Sequence, residues 1–163
     1  MSIGKVTRVA HTGISVSDID RALQFFRDVL GMPVTEPVFM EDPVMASTTG
    51  VAEAAMHVAF VEMPGHKVEL LQYVRPLQRT RSELRPCDVG HMHLSLQVDG
   101  IDDVVRRMRE AGFIPAGPIQ FLDVEGGMRL IYTYGFDGLV IELMDFDTSG
   151  TAKQTGVLTH VGE

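Results

Sequence analysis

The sequence predicts an α+β protein made of two tandem βαβββ modules. Three observations lead there. A segment beginning at His11 returns at His93, an amphipathic helical stretch follows each copy, and each half ends on two strand-like stretches joined by a glycine-containing turn. The expected layout is a single domain over residues 1–163. Module one spans about 7–74, a linker 75–90, module two about 91–146 and a polar tail 147–163.

The repeat is visible when "HTGISVSDID" (11–20) is set over "HLSLQVDGID" (93–102), 82 residues later. Histidine falls on histidine and Val16 on Val98. The segments 22–31 and 104–112 then carry apolar residues at helical spacing and stop at Gly31 and Gly112. Asp18 and Asp99 stand where a side-chain oxygen caps a helix's first free N–H groups. Strands are expected at 56–61 and 67–73 around the turn Pro64-Gly65-His66. Their counterparts are 128–134 and 139–144 around Gly135-Phe136-Asp137-Gly138.

Composition narrows the function. The 163 residues are 45% hydrophobic, as in a folded soluble domain. A net charge of −8 argues against a nucleic-acid partner, which requires clustered Lys and Arg to meet phosphates. Apolar runs such as 139–141 are too short to span a bilayer, so no membrane partner is expected. The start "MSIGKVTRVAHTG" lacks the apolar core of a signal peptide. The single cysteine, Cys87, excludes an internal disulfide, suits a reducing cytoplasm and is read as incidental.

Strand alternation sorts the polar residues. Thr12, Ile14 and Val16 share one face of the first strand, and His11, Gly13 and Ser15 the other. In the copy, Leu94, Leu96 and Val98 oppose His93, Ser95 and Gln97. The apolar face belongs under the helix and the small polar face lines a cavity. In each final strand one carboxylate, Glu69 or Glu142, interrupts an apolar run. A lone buried carboxylate costs several kcal/mol, so it is normally paired or metal-bound. Taken singly, each of these residues reads as a surface group. Their joint recurrence favours metal ligation by His11, Glu69, His93 and Glu142. His91 competes with His93 from the same strand face. The repeat offset selects His93 and leaves His91 at the rim of the site or behind its ligands.

The stretches "HTGISVSDIDRALQFFRDVLGM", "KVELLQY", "HMHLSLQVDGIDDVVRRMREAGF" and "DGLVIELMDF" resemble the vicinal-oxygen-chelate superfamily over roughly residues 7–146. That superfamily includes glyoxalase I, methylmalonyl-CoA epimerase, extradiol dioxygenases and fosfomycin- or bleomycin-resistance proteins. The resemblance implies that the modules form an incompletely closed eight-stranded mixed β-barrel with flanking helices around one divalent metal ion. It matches the first-strand histidines to His11 and His93, and the last-strand carboxylates to Glu69 and Glu142. It also implies a homodimer. A second glutamate that epimerases of the family use as an acid or base aligns with Glu53, where a solvated loop carboxylate is an equal alternative.

Two imidazoles and two carboxylates suit Zn, Ni, Co, Mn or Fe. They leave two adjacent positions for a small-molecule substrate with neighbouring oxygens. The resemblance therefore implies a metal-dependent lyase or isomerase of glyoxalase or epimerase type. It moves a proton beside a carbonyl through a metal-bound enolate, with Glu142 as first candidate base and Glu53 or Glu69 on the opposite side. The alternatives are an Fe(II) extradiol-type dioxygenase, for which one histidine and one carboxylate are surplus, and a non-catalytic drug-binding protein of the same fold. The segment 33–55, anchored by Phe39, Met40 and Met45, is either a lid or a packed surface loop. Arg75, Arg79, Arg81 and Arg85 read as a solvated basic linker before an anion-binding cluster. His57, His66 and His160 have no counterpart in the repeat: His66 is assigned to a turn and His160 to the tail.

Overall fold

A computed structural model describes residues 4–81, 83–124 and 126–146. The chain divides after Thr80 into two compact units, each built on its own sheet. The architecture is mixed α+β, as the sequence predicts. The tail, with His160, lies outside the described residues.

In the first unit, strand β1 (Thr12–Ser15) leads into helix α1 (Ile19–Gln24). A π-helical turn over Phe25–Val29 extends α1, with Leu30 N–H donating to the Phe25 carbonyl at 3.2 Å. This wider turn keeps the adjacent rings of Phe25 and Phe26 in the core, packed edge to face. Strands β2 (Val38–Met40), β3 (Ala55–Met63) and β4 (His66–Arg75) complete a four-stranded open sheet of order β1-β4-β3-β2. Ile19, Ala22, Leu23 and Phe26 are buried, as are Val68 and Leu70 of β4. Burying a side chain the size of Phe26 stabilises by about 1.5–3 kcal/mol.

The second unit repeats the plan. Strand β5 (Leu94–Gln97) leads into helix α3 (Ile101–Glu110). Strands β6 (Ile114–Pro115), β7 (Gln120–Leu122), β8 (Met128–Tyr134) and β9 (Val140–Phe146) follow. The sheet order is β5-β9-β8-β6, with β7 also pairing with β8. Buried Ile101, Val104, Val105 and Met108 give α3 its apolar stripe, and Ile141 and Leu143 are buried on β9. Thr133, a fully buried polar residue, donates its hydroxyl to the Ile141 carbonyl at 3.0 Å.

Several expectations need correction. Asp18 does cap α1, accepting from Arg21 N–H at 3.0 Å. Asp99 does not cap α3: Gly100, at φ 77, occupies the cap position without a side-chain bond. The acceptor comes instead from Asp145 on β9, whose Oδ2 takes the Ile101 N–H at 3.0 Å. The first unit makes the same tie, from Ile19 N–H to Gln72 Oε1 at 3.0 Å. His66 belongs to β4, paired with Met63 across a two-residue turn, and its Nε2 lies 2.9 Å from Thr12 Oγ1.

The segment 33–55 is not an irregular loop. It holds β2 and a helix, α2 (Pro43–Thr49), capped by Asp42, which accepts from Val44 N–H at 2.8 Å. Met40 and Met45 pack against Ala54, Met56 and Val58, whereas Phe39 is exposed beside the His57 ring. The linker arginines are held locally. Arg75 meets Glu41, Arg79 meets the Tyr73 carbonyl, Arg85 lies 2.8 Å from Asp88 and Arg81 4.0 Å from Asp137. Cys87 is exposed and free. No helix among the described residues is long and apolar enough to cross a membrane.

Two substitutions test this packing. A Cβ added at Gly135 would lie 2.1 Å from Phe113 Cε1. Gly135→Ala is therefore expected to lose about 1–3 kcal/mol, read as a lower urea midpoint. Asp145→Ala leaves the first amide of α3 without its partner and is expected to cost about 1–2 kcal/mol on the same assay. Asp145→Asn, which keeps an acceptor, should cost about half of that or less.

Candidate metal centre

Each unit pairs its first strand with its last in parallel, and the two registers correspond. Gly13 is opposite Glu69 on β1 and β4, and Ser95 is opposite Glu142 on β5 and β9. One backbone bond also recurs at each strand's end. Val16 N–H donates to the Leu71 carbonyl at 2.9 Å, and Val98 N–H to the Met144 carbonyl at 2.8 Å.

His11 and His93 each stand one residue before their strand. They sit two residues ahead of Gly13 and Ser95, so the imidazole and the carboxylate share a face. His11 Nε2 lies 3.2 Å from Glu69 Oε2, and His93 Nε2 lies 3.4 Å from Glu142 Oε2. Both carboxylates are half-buried, with 21% and 14% of their side-chain surface exposed, while the imidazoles keep 42% and 36%. The two faces follow the expected alternation: on the histidine side Gly13, Ser15, Ser95 and Gln97 are exposed, and on the other Thr12, Ile14, Leu94 and Leu96 are partly covered.

The donor geometry fits a metal ion. Two ligand atoms each about 2.1 Å from one ion, at angles between square and tetrahedral, stand roughly 3.0–3.4 Å apart. Both His–Glu pairs meet that spacing. Among the described residues, neither unit adds a third His, Cys, Asp or Glu to its pair. A protein ion site needs about four ligands, so one pair alone is half a site.

The environments of the two pairs differ in one respect. Phe60 lies opposite Glu69 in the first hairpin, its ring centroid 6.1 Å from that of His11. Tyr132 holds the matching place opposite Glu142, 5.0 Å from the His93 ring, with its hydroxyl 3.3 Å from Nε2. Burial, the Glu142 carboxylate and Tyr134 hold the Tyr132 phenol above its ordinary pKa. The phenol thus stays protonated well beyond neutral pH, and its hydroxyl, His93 Nε2 and Glu142 Oε2 lie within reach of one another. Ser95 lies nearby on β5, its hydroxyl 3.1 Å from Met144 Sδ.

Two candidates take no part in the two His–Glu contacts. Glu53 sits at φ 53 in the turn before β3, exposed, and lines an open cavity of about 700 Å³ with Glu41, Asp42, Pro43, Ala46, Ala54 and Arg75. Neither His11 nor Glu69 lines that cavity. His91 precedes β5, with its Nε2 buried and without a hydrogen-bond partner. Tyr132, Gln72 and Asp145 escape the sequence reading, the last two because their role appears only once strand and helix are docked.

A family model described as the glyoxalase/bleomycin resistance protein/dioxygenase superfamily matches residues 10–132. Mouse mitochondrial methylmalonyl-CoA epimerase is 28% identical over 109 residues, covering 66% of this chain and 55% of that protein. The chain thus spans about half of that enzyme's length. Among solved structures, a glyoxalase family protein from Bacillus cereus superposes with a TM-score of 0.78 at 25% identity, over 89% of this chain and 97% of that one. The fosfomycin resistance protein FosX from Listeria monocytogenes, solved with Mn(II) and 1S,2S-dihydroxypropylphosphonic acid, shares the fold. Its TM-score is 0.58 at 16% identity, over 85% of this chain and 90% of that one. The chain belongs to the glyoxalase/bleomycin resistance protein/dioxygenase superfamily, the vicinal-oxygen-chelate proteins.

Proposed function

We propose that this chain is a metal-dependent lyase or isomerase of glyoxalase or epimerase type. In this reading His11, Glu69, His93 and Glu142 together hold one divalent ion, Zn, Ni, Co, Mn or Fe. The two βαβββ modules, about 7–74 and 91–146 of a single domain, form an incompletely closed eight-stranded barrel around it. The observation that carries the reading is the pair of His–Glu contacts, 3.2 and 3.4 Å, placed by the same strand register in both halves. The Mn(II) bound by FosX supports a divalent ion in this fold. The epimerase relative supports proton transfer as the chemistry.

When bound, the ion supplies Lewis acidity that favours loss of a proton beside a carbonyl. Glu142 takes that proton, since its half-buried carboxylate lies on the polar side of the site, under Ser95 and Tyr132. Tyr132 keeps its phenolic proton and positions the His93 ring by the tilted ring contact, its hydroxyl lying beside the His–Glu pair. Phe60 gives the first half a ring without a donor, so the hydrogen-bonding asymmetry favours Glu142 over Glu69 as the base. Delivery of a different proton to the opposite face of the same carbon by a second, protonated carboxyl group, for which Glu53 is the candidate, is epimerisation and leaves Glu142 protonated. Return of the first proton to the neighbouring carbon is isomerisation of the glyoxalase kind. A homodimer and a cytoplasmic setting belong to the same reading.

Metal analysis of purified protein is expected to find about one divalent ion per chain, lost from His93→Ala and from Glu142→Gln. Circular dichroism should show both variants folded. Loaded protein is expected to carry deuterium from solvent into an α-hydroxycarbonyl or a 2-methylacyl-CoA, detected by mass spectrometry. Unchanged metal content in both variants would remove the basis of the reading. Oxygen uptake with catechols would replace it by the dioxygenase alternative, and ligand binding without metal or exchange by the non-catalytic one.

A further inference from the structure

The second unit holds a cavity of about 650 Å³ beside its His–Glu pair. Ala116, Phe121, Leu122, Leu130, Tyr132 and Tyr134 are among its walls. This volume lies in the range of small-molecule sites. Alternation along β8 puts Leu130, Tyr132 and Tyr134 on one face, the face that Glu142 shares across the β8–β9 ladder. Tyr132 is common to both places: its ring walls the cavity, and its hydroxyl reaches His93 Nε2. The cavity therefore adjoins the candidate metal centre across one side chain, Tyr132, while His93 and Glu142 are not among its walls.

Its chemistry is selective. Among the described residues that line it, none is Asp, Glu, Lys, Arg or His. An ionised group entering it would lose hydration without gaining a charged partner, at a cost of several kcal/mol. The nearby linker supplies no spare cation, because Arg85 is bonded to Asp88 and Arg81 faces Asp137. Aromatic and aliphatic walls instead reward an uncharged ring or branched chain.

We propose that this cavity receives an uncharged aromatic or branched apolar arm of the substrate whose two adjacent oxygens are chelated at the metal centre. The inference rests on the metal-dependent reading above and narrows it, excluding a phosphorylated carrier tail from this side of the site.

Hydroxamates test it, because they present two adjacent oxygens to a metal and differ only in their arm. Mn(II)-loaded protein is expected to bind benzohydroxamate about ten-fold or more tightly than acetohydroxamate, since the ring buries more carbon. Ala116 is exposed at the cavity, and its backbone N–H bonds the Tyr132 carbonyl at 2.8 Å. Ala116→Leu should therefore fill the space without disturbing the sheet. It is expected to abolish the preference and leave acetohydroxamate affinity unchanged. Equal affinities for the two probes, or a preference that survives Ala116→Leu, would overturn the proposal. A separate arm uses metal-free protein and 4-fluorobenzyl alcohol. Saturation transfer to the ring, lost in Ala116→Leu, supports the cavity even if neither hydroxamate binds and the metal-dependent reading fails. No transfer in the wild type counts against the cavity itself.

Discussion

The parallel ladder between the first and last strand of each unit is the constraint on which the rest depends. Among the described residues it is the only strand pairing that joins chain segments more than fifty residues apart in the first unit and more than forty in the second. It sets the imidazole and the carboxylate on one face, and it leaves the opposite face to the helix. The helix is then tied back to the same ladder through Gln72 or Asp145, three residues beyond each glutamate. A carboxylate, a helix start and a strand end are thus located by one set of hydrogen bonds. Loosening that ladder would disturb all three together.

The duplication is close in the first-to-last strand ladder and inexact in chemistry. Gly13 stands where the second unit has Ser95, Phe60 where it has Tyr132, and Gln72 where it has Asp145. In each case the second unit carries the more polar or more acidic group. Twin scaffolds present equivalent His–Glu pairs, while the residues around them differ. The first unit supplies an aromatic edge without a hydroxyl, and the second a hydroxyl, a phenol and an adjoining apolar cavity.

Much of this was legible in the sequence because repetition converts weak signals into a joint one. His11 with His93, and Glu69 with Glu142, recur at matched strand positions, and the structure pairs each histidine with the glutamate of its own half. Helix stops at Gly31 and Gly112 were readable for the same reason, both taking positive φ. Short elements were not. Strands β2 and β7 have three residues each, too few for alternation to register. Helix α2 was missed although Asp42, Pro43 and Gly50 mark its two ends, because its seven residues lack an apolar stripe. Asp99 satisfied the capping pattern, yet tertiary contact with Asp145 took over that task.

Tyr132 was hidden for a subtler reason, and the turn that follows it carries a consequence. Asp137, at φ 55, lies at the centre of the connection from β8 to β9, where Gly135 N–H meets the Leu139 carbonyl at 2.8 Å. That odd-numbered connection places Tyr132 against Glu142; one residue fewer would present Ile131 or Thr133 instead and turn the phenol to the other face. Loop length in most proteins drifts freely between relatives. Here the loop at the hairpin's end acts as a vernier for the His93–Glu142 pair, so insertions and deletions at this spot should be tolerated only in pairs.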